Sequence, residues 1–390
     1  MNVLDWILVV LAFAYALSGY WQGFVTGAFA TAGLLLGGTL GIWLAPTLLG
    51  GKGPSLWVSL GALFIVILCA SIGQACLQWA GARIRGKIRW QPVRVLDACG
   101  GAVLSAAAVL VVAWALGVAI SGAGLHGVTK EVRGSVVLRT VDRILPSSAD
   151  EALNAFNNVV GTSFFPRYLE PFQPEHIVNV GPAPKAIAAS APIKADASRV
   201  LKVHGASVCG RGVEGSGFVV SRDYVMTNAH VVAGVQDPSV QIAGHDVPAT
   251  TVYYDPQFDV ALLHVDTGSL APLTFASSAQ AADPVAVLGY PEDGPYDVEP
   301  GRVRSENNLR SPDIYGNGTV IRSVYALRSL IRPGNSGGPV VDAAGKVVGV
   351  VFAASVSDSD TGYALSAQQV AGALKAVGDT AGVSTQGCAE

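Results

Sequence analysis

The feature that most constrains this chain is the absence of charge from most of its first third. No Asp, Glu, Lys or Arg lies between Asp5 and Lys52, or between Lys52 and Arg83. Between Asp97 and Lys130 the only side chain able to carry a positive charge is that of His126. A run of about 20 apolar residues in a helix crosses the hydrocarbon core of a bilayer, with every backbone polar group satisfied internally. Each uncharged block holds one or two such runs. Four spans are expected, at about Leu4–Tyr20, Phe24–Leu44, Leu56–Trp79 and Ala102–Ile120. Reading the first as a cleaved signal is disfavoured, because it has no basic leader and hydrophobicity resumes at Phe24. These blocks explain a chain of 390 residues that is 51% apolar and only 14% charged. Its net charge of −3 offers no basic face for a nucleic acid.

The densest basic loop near any span joins the third to the fourth and carries Arg83, Arg85, Lys87, Arg89 and Arg94. Such loops stay in the cytoplasm, so the N-terminus and everything after Ile120 are expected outside it. Lys130, Arg133 and Arg139 fall on the outer side, which a long translocated region tolerates. Glycines recur four apart, at Gly19, Gly23 and Gly27 and at Gly33, Gly37 and Gly41. That spacing lets membrane helices approach closely. A pore or transport role would want charges inside the spans, which are almost free of them. The four glycine-rich spans resemble the colicin V production protein family.

Residues 121–198 differ in texture. Val132, Val136, Val137, Val141, Ile144 and Leu145 fall near helical spacing until Pro146. Pro166, Pro171, Pro174, Pro182, Pro184 and Pro192, set among alanines, then read as an extended spacer. The expected organisation is a four-span membrane domain over 1–122, a connector over 123–198 and a second domain over 199–390. That last stretch consists of short β-branched runs separated by glycine and turn residues, the pattern of an all-β sandwich or barrel.

Three segments of the β-rich half carry chemistry. They are Thr227-Asn228-Ala229-His230-Val231-Val232, Phe258-Asp259-Val260-Ala261-Leu262-Leu263 and Gly334-Asn335-Ser336-Gly337-Gly338-Pro339. Acyl transfer near neutral pH needs a hydroxyl activated by a neighbouring base, and that base must be oriented by a carboxylate. Backbone N–H groups of residues 334–336 must converge on one point to hold an oxyanion, and a Cβ at residue 334 would obstruct the turn.

The order His, Asp, Ser and the motifs T-N-A-H-V and G-N-S-G-G-P resemble those of the trypsin-like fold, in its bacterial Deg/HtrA-type branch. The resemblance implies a chymotrypsin-like double β-barrel with His230, Asp259 and Ser336 as the triad. Asp255 and Asp266 lie close by, but family members carry the acid where Asp259 stands, just before the apolar run. Gly334, Asn335 and Ser336 would form the oxyanion hole. Leu330, six before the nucleophile, would sit at the base of the substrate pocket. Phe352, Ala353 and Ala354 would lie on its wall, which favours an apolar, medium-sized P1 residue. Asn335 replaces the aspartate that pancreatic-type enzymes carry before the serine, so zymogen activation is not implied. No PDZ-like domain follows. Four spans, a connector and a trypsin-like domain together are similar to the mycobacterial acid-resistance periplasmic serine protease (MarP-like) family. Such a protein cleaves cell-envelope proteins, itself among them, outside the cytoplasm, and the family resemblance adds acid and oxidative stress resistance.

Of five cysteines, Cys209 and Cys388 fall in the exported half, where a disulfide between them is expected; the alternative is two free thiols. No metal and no cofactor are called for. His204, His245 and His264 fall in or beside expected strands without evident partners, and Arg328 and Arg332 are read as solvated, the alternative being contact with substrate. Gly210-x-Gly212-x-x-Gly215 matches a dinucleotide fingerprint only in its letters, without the βαβ context. Two other functions compete with a protease: a transport or channel-like membrane protein whose β-domain senses or binds, and a serine esterase.

Overall fold

The computed structural model describes residues 1–49, 56–121, 126–145, 172, 174–210 and 212–389. The chain divides into two compact units, Met1–Gly117 with Ser135–Leu145, and Val118–Gly134 with Pro146–Glu390.

Four helices dominate the first unit: α1 (Val3–Gln22), α2 (Phe24–Leu49), α3 (Leu56–Arg85) and α4 (Gln91–Ser121). Each contains a stretch long and apolar enough to cross a membrane. The fourth begins at Gln91 rather than Ala102, so its first turns carry Arg94 and Asp97. The helices α2 and α3 touch through backbone. A Cβ added at Gly33 would stand 2.2 Å from Gly73 O, and one at Gly37 would stand 2.2 Å from Cys69 O. Lipid tails are as apolar as side chains, so association of membrane helices depends on such close van der Waals contact. At the arginine-rich end, the carboxylate of Asp97 is buried. It accepts from Val25 N at 2.8 Å and from Arg85 Nε at 2.6 Å, and Arg85 also donates to Trp21 O. One ion pair therefore ties together the ends of all four helices. At the other end, Asp5 accepts from Ser135 Oγ at 2.6 Å and from Val137 N at 3.0 Å. It thereby caps a short helix, α6 (Val136–Ile144), which Trp114 Nε1 also holds through Asp142 at 2.8 Å. Between α4 and α6 in sequence lies α5 (His126–Arg133).

Among the described residues of the second unit, thirteen strands build two antiparallel sheets. In chain order they are β1 (Val200–Ala206), β2 (Gly212–Ser221), β3 (Tyr224–Thr227), β4 (Ser239–Ile242), β5 (His245–Pro248), β6 (Thr250–Asp255), β7 (Val260–His264), β8 (Pro284–Gly289), β9 (Asp297–Ser311), β10 (Val320–Arg328), β11 (Pro339–Val341), β12 (Val347–Ala354) and β13 (Thr361–Ser366). The first sheet has the order β5-β4-β1-β2-β3-β7-β6 and the second closes as β10-β13-β12-β11-β8-β9. Strand alternation sorts the apolar residues. In β7 (Val260–His264), Ala261 and Leu263 join Val203, Val219 and Val225 inside the first sheet. Val260 and Leu262 point the other way, into a core shared by both sheets. In β8 (Pro284–Gly289), Val285 and Val287 fill the closed barrel while Ala286 and Leu288 enter the shared core. That shared core also contains Phe218, Met226, Phe352 and Leu365. Strands covered on both faces read as nearly continuous apolar runs, which is why the β-rich half is so hydrophobic.

The proline-rich segment after Pro174 is not a free spacer. Ile187 and Ile193 enter the shared core. Arg304 donates to Val178 O at 2.8 Å, Arg328 to Val180 O at 2.7 Å and Arg302 to Pro182 O at 3.2 Å. The segment is extended because its prolines forbid a regular ladder, and arginines of the barrel satisfy its carbonyls. At the far end of the chain, a tail crosses back to the first sheet. Val383 N donates to Thr251 O at 2.8 Å, Gly234 N to Thr385 O at 3.1 Å, and a disulfide joins Cys388 to Cys209.

The α2–α3 seam yields a test within one helix. Gly37→Leu should lower the thermal midpoint of the detergent-solubilised protein by several degrees. Gly38→Leu should leave it unchanged, because the nearest atom to a Cβ there is 3.9 Å away.

Candidate active site

His230 lies on a single helical turn, Ala229–Val232, that opens directly after β3 (Tyr224–Thr227). Its Nδ1 faces both oxygens of Asp259, at 3.0 and 2.8 Å, and its backbone N–H donates to Oδ1 at 3.0 Å. Both side chains are largely buried, which strengthens the attraction between a carboxylate and a ring that gains a proton. Asp259 adopts φ of +60°, a strained value for a residue with a side chain. The surroundings impose it. Asp255 accepts from Gln257 N and Phe258 N, folding a tight turn at the end of β6 (Thr250–Asp255). Asn228 Nδ2 then grips Asp259 O at 2.8 Å.

Ser336 lies in a turn with positive φ at Gly334 (+88°) and Gly337 (+82°). A Cβ at Gly334 would stand 2.3 Å from Tyr290 O, and one at Gly337 would stand 2.1 Å from Ser216 O. Asn335 stiffens the turn. Its Oδ1 accepts from Arg332 N at 2.9 Å and its N–H donates to Arg332 O at 3.0 Å. Of the three expected oxyanion donors, the Asn335 N–H is therefore engaged inside the turn. Among the described residues, the N–H groups of Gly334 and Ser336 have no protein acceptor. Gly215 lies between the elements that carry His230 and Ser336, where a Cβ would meet Val231 at 2.7 Å and Ser336 O at 3.0 Å. Among the described residues no hydrogen bond joins Ser336 Oγ to His230 Nε2. In substrate-free enzymes this contact is often long and tightens when substrate binds.

The expected pocket residues fall in different settings. Leu330 is 43% exposed, Ala354 packs beside the closed-barrel core, and Phe352 and Ala353 belong to the shared core. Arg328 and Arg332 are not simply solvated. Arg328 pairs with Asp360 at 2.9 Å, while Arg332 pairs with Asp297 and lies 3.6 Å from Glu299. His204 also has a partner, Asp246, at 3.0 Å. No group of three metal-ligating side chains converges among the described residues.

A family model for the trypsin-like peptidase domain matches residues 215–350, and one for the colicin V production protein matches residues 4–146. Serine protease Rv3671c of Mycobacterium tuberculosis is 36% identical over 389 residues, 99% of this chain and 98% of that protein. The chain belongs to the Rv3671c-like, MarP-type family of membrane-anchored serine proteases. The crystal structure of the M. tuberculosis Rv3671c protease in its active form superposes with a TM-score of 0.55 and 41% identity, covering 57% of this chain and 99% of that one. A probable periplasmic DegP-like endoprotease of Halomonas elongata is 37% identical over 140 residues, 35% of this chain and 28% of that protein.

As a member of this family the protein is a serine endopeptidase with a trypsin-like catalytic domain and a helical membrane anchor. Two residues that the motifs did not single out support its site. Ser216 receives Tyr290 N at 2.9 Å and donates its hydroxyl to Gly334 O at 2.6 Å. Its own N–H donates to Ser336 O at 2.7 Å. Arg322, on β10 (Val320–Arg328), donates to Gln257 O and to Ser311 Oγ. This arginine is 2% exposed. Burial lowers its pKa from the usual guanidinium value, and Asp259, Asp313 and Asp255 oppose that fall. A single serine in a glycine-rich strand and an arginine in a strand of ordinary polarity carry no local signal. Only the folded packing shows what they hold.

Arg322→Ala removes the donors that hold the Gln257 carbonyl, two residues from Asp259, and leaves the fully buried Ser311 Oγ without its donor. An unpaired buried acceptor costs about 1–3 kcal/mol. Urea unfolding should register a loss of that size, and kcat should fall more than KM rises. Titration of Asp360 predicts a pH effect. A hydrogen bond from Asp358, followed by the charges of Arg328 and Arg304, holds its carboxyl below the ordinary carboxylate range. A depressed acid stabilises the fold at pH values above its unfolded pKa, and the contribution disappears as pH falls through the folded value. Asp360→Asn should accordingly flatten the acid limb of a plot of thermal midpoint against pH.

Proposed function

We propose that the protein hydrolyses peptide bonds of cell-envelope proteins outside the cytoplasm through His230, Asp259 and Ser336. The observation that carries this reading is the buried pairing of His230 Nδ1 with Asp259, beside a serine in a turn that leaves two N–H groups unspent. Asp259 holds the proton on Nδ1, so Nε2 is the free base. As Ser336 Oγ attacks the scissile carbonyl carbon, Nε2 takes its proton. The carbonyl oxygen becomes an oxyanion between the N–H groups of Gly334 and Ser336, with Asn335 fixing the turn that aims them. One such donor contributes about 3 kcal/mol to the transition state. Collapse of the intermediate passes the proton from His230 to the leaving amine and leaves an ester on Ser336. Water repeats the sequence in reverse and frees the acid.

Leu330, which is exposed, and Ala354, beside the closed-barrel core, favour an apolar P1 residue. The enzyme's own connector is among the proposed substrates. The work belongs to envelope maintenance under acid or oxidative stress, and the basic loop around Arg85 sets the catalytic unit on the outer side of the membrane.

A fluorophosphonate probe tests the nucleophile in the detergent-solubilised full chain. Labelling of the wild type but not of Ser336→Ala is expected. His230→Ala and Asp259→Ala should each slow labelling by at least about a hundredfold. A folded wild type that takes no label would overturn this reading and leave a sensing or binding role for the β-rich unit.

A further inference from the structure

One end of the membrane unit gathers more positive charge than its own residues neutralise. Between Ala80 and Ala98 five cations, Arg83, Arg85, Lys87, Arg89 and Arg94, stand against one carboxylate, that of Asp97. Asp97 is buried and already engaged by Arg85 and Val25 N. Arg83 lies over the Trp79 ring, 4.0 Å from its centroid. Arg94 is exposed. Among the described residues, neither its guanidinium nor the Gln91 side chain has a protein partner. Arg85 gives Nε to Asp97 and Nη1 to Trp21 O, which leaves its Nη2 unspent among the same residues.

These groups meet at a cavity. A space of about 400 Å³ is lined by Tyr20 and Trp21 of α1, Arg85 of α3, and Gln91, Arg94 and Val95 of α4. Sites for small ligands measure about 300–1,000 Å³. Trp21, Trp79 and Trp90, at the ends of the helices here, are all exposed. Tryptophan and tyrosine at the ends of membrane helices lie at the level of the lipid headgroups. The cavity is therefore placed where phosphates are concentrated. The planar fork of an arginine matches a phosphate, which accepts two of its N–H groups at once. The first turn of α4 adds to the attraction. Trp90 precedes it, and an indole accepts no hydrogen bond, so the N–H groups of Gln91 and Val93 have no protein acceptor among the described residues. The start of a long helix favours an anion.

We propose that this cavity holds the phosphodiester of an anionic phospholipid, with Arg94 and the spare Nη2 of Arg85 as its donors. A zwitterionic headgroup brings an ammonium that the surrounding cations repel, so the net charge of the lipid decides its binding. A lipid also supplies acyl chains to exposed apolar side chains of the same helices, such as Leu17 of α1 and Leu96 of α4, which a free phosphate would leave bare. The bound lipid joins α1, α3 and α4 at the end that the Arg85–Asp97 pair closes. The inference is independent of the triad and of what the β-rich unit cleaves.

Titration of the detergent-solubilised full chain with dioctanoyl phosphatidylglycerol, read by native mass spectrometry, provides the test and needs no turnover. Binding of a single lipid should saturate. Arg94→Gln should weaken it about tenfold, the worth of one charged hydrogen bond. The thermal midpoint of that variant without lipid should stay at the wild-type value, because the side chain is exposed. Lys87→Gln, in the same loop but outside the cavity, should change the affinity by less than about twofold. Dioctanoyl phosphatidylcholine should bind at least about tenfold more weakly than phosphatidylglycerol. Inorganic phosphate at the lipid's own concentration should fail to displace it. An unchanged affinity in Arg94→Gln would overturn the proposal. So would equal losses in Arg94→Gln and Lys87→Gln, which would assign binding to the diffuse charge of the loop, or equal binding of the two lipids. Displacement by inorganic phosphate would also overturn it and assign the cavity to a free anion.

Discussion

The geometry of the candidate active site depends on how Ser216 joins two sheets that share no strand. Its peptide N–H, hydroxyl and carbonyl are all engaged, with Ser336 O, Gly334 O, Tyr290 N and Thr227 Oγ1. The residue belongs to the first sheet, and the turn it grips belongs to the second. The residue is fully buried, so no water can substitute for a missing partner. The turn is consequently fixed relative to the strand that leads to His230. From the other direction, Arg322 of the closed barrel reaches the turn before Asp259. Each sheet supplies residues of the proposed triad and also stabilises those of the other, so the candidate site exists only when both are folded and packed through the shared core.

The motif residues were legible in the sequence because their chemistry demands unusual local conformations. Gly334 and Gly337 need positive φ and approach neighbouring backbone closely, and no other residue would fit there. The membrane helices were legible for a different reason: a charge in hydrocarbon is costly, so its absence over dozens of residues is informative. From Pro174 onward the segment read as an extended spacer also packs: Ile187 and Ile193 are buried, and arginines from distant strands hold its carbonyls. Those contacts link residues more than 100 positions apart, so no local pattern announces them. Arg328 and Arg332 were read as solvated for the same reason, since their carboxylate partners lie on other elements.

Charge is used in opposite ways in the two units. In the membrane unit, Asp97 and Arg85 form a compact pair where the helix ends converge, and their backbone partners come from two further helices. Isolated, either ion would be costly beside hydrocarbon; together they close the bundle at one end. In the β-rich unit, the ion pairs around Asp360 are more open. Asp360 shares two arginines that also hold the carbonyls of Val178 and Val180. Partial exposure makes each pair weak, and it is the sharing of partners that gives the network its stiffness.

The disulfide between Cys209 and Cys388 has a topological consequence. It closes the chain into a covalent ring, and His230, Asp259 and Ser336 all lie inside it, while the proline-rich segment that carries Ile187 lies outside. A peptide bond cut anywhere within the ring leaves both pieces joined, so the fragments stay at each other's side as one molecule. A cut before Val200 is different in kind. It frees the ring from the membrane helices, and its position relative to Ile187 decides whether the released molecule keeps the stretch of chain that enters the shared core or leaves it behind.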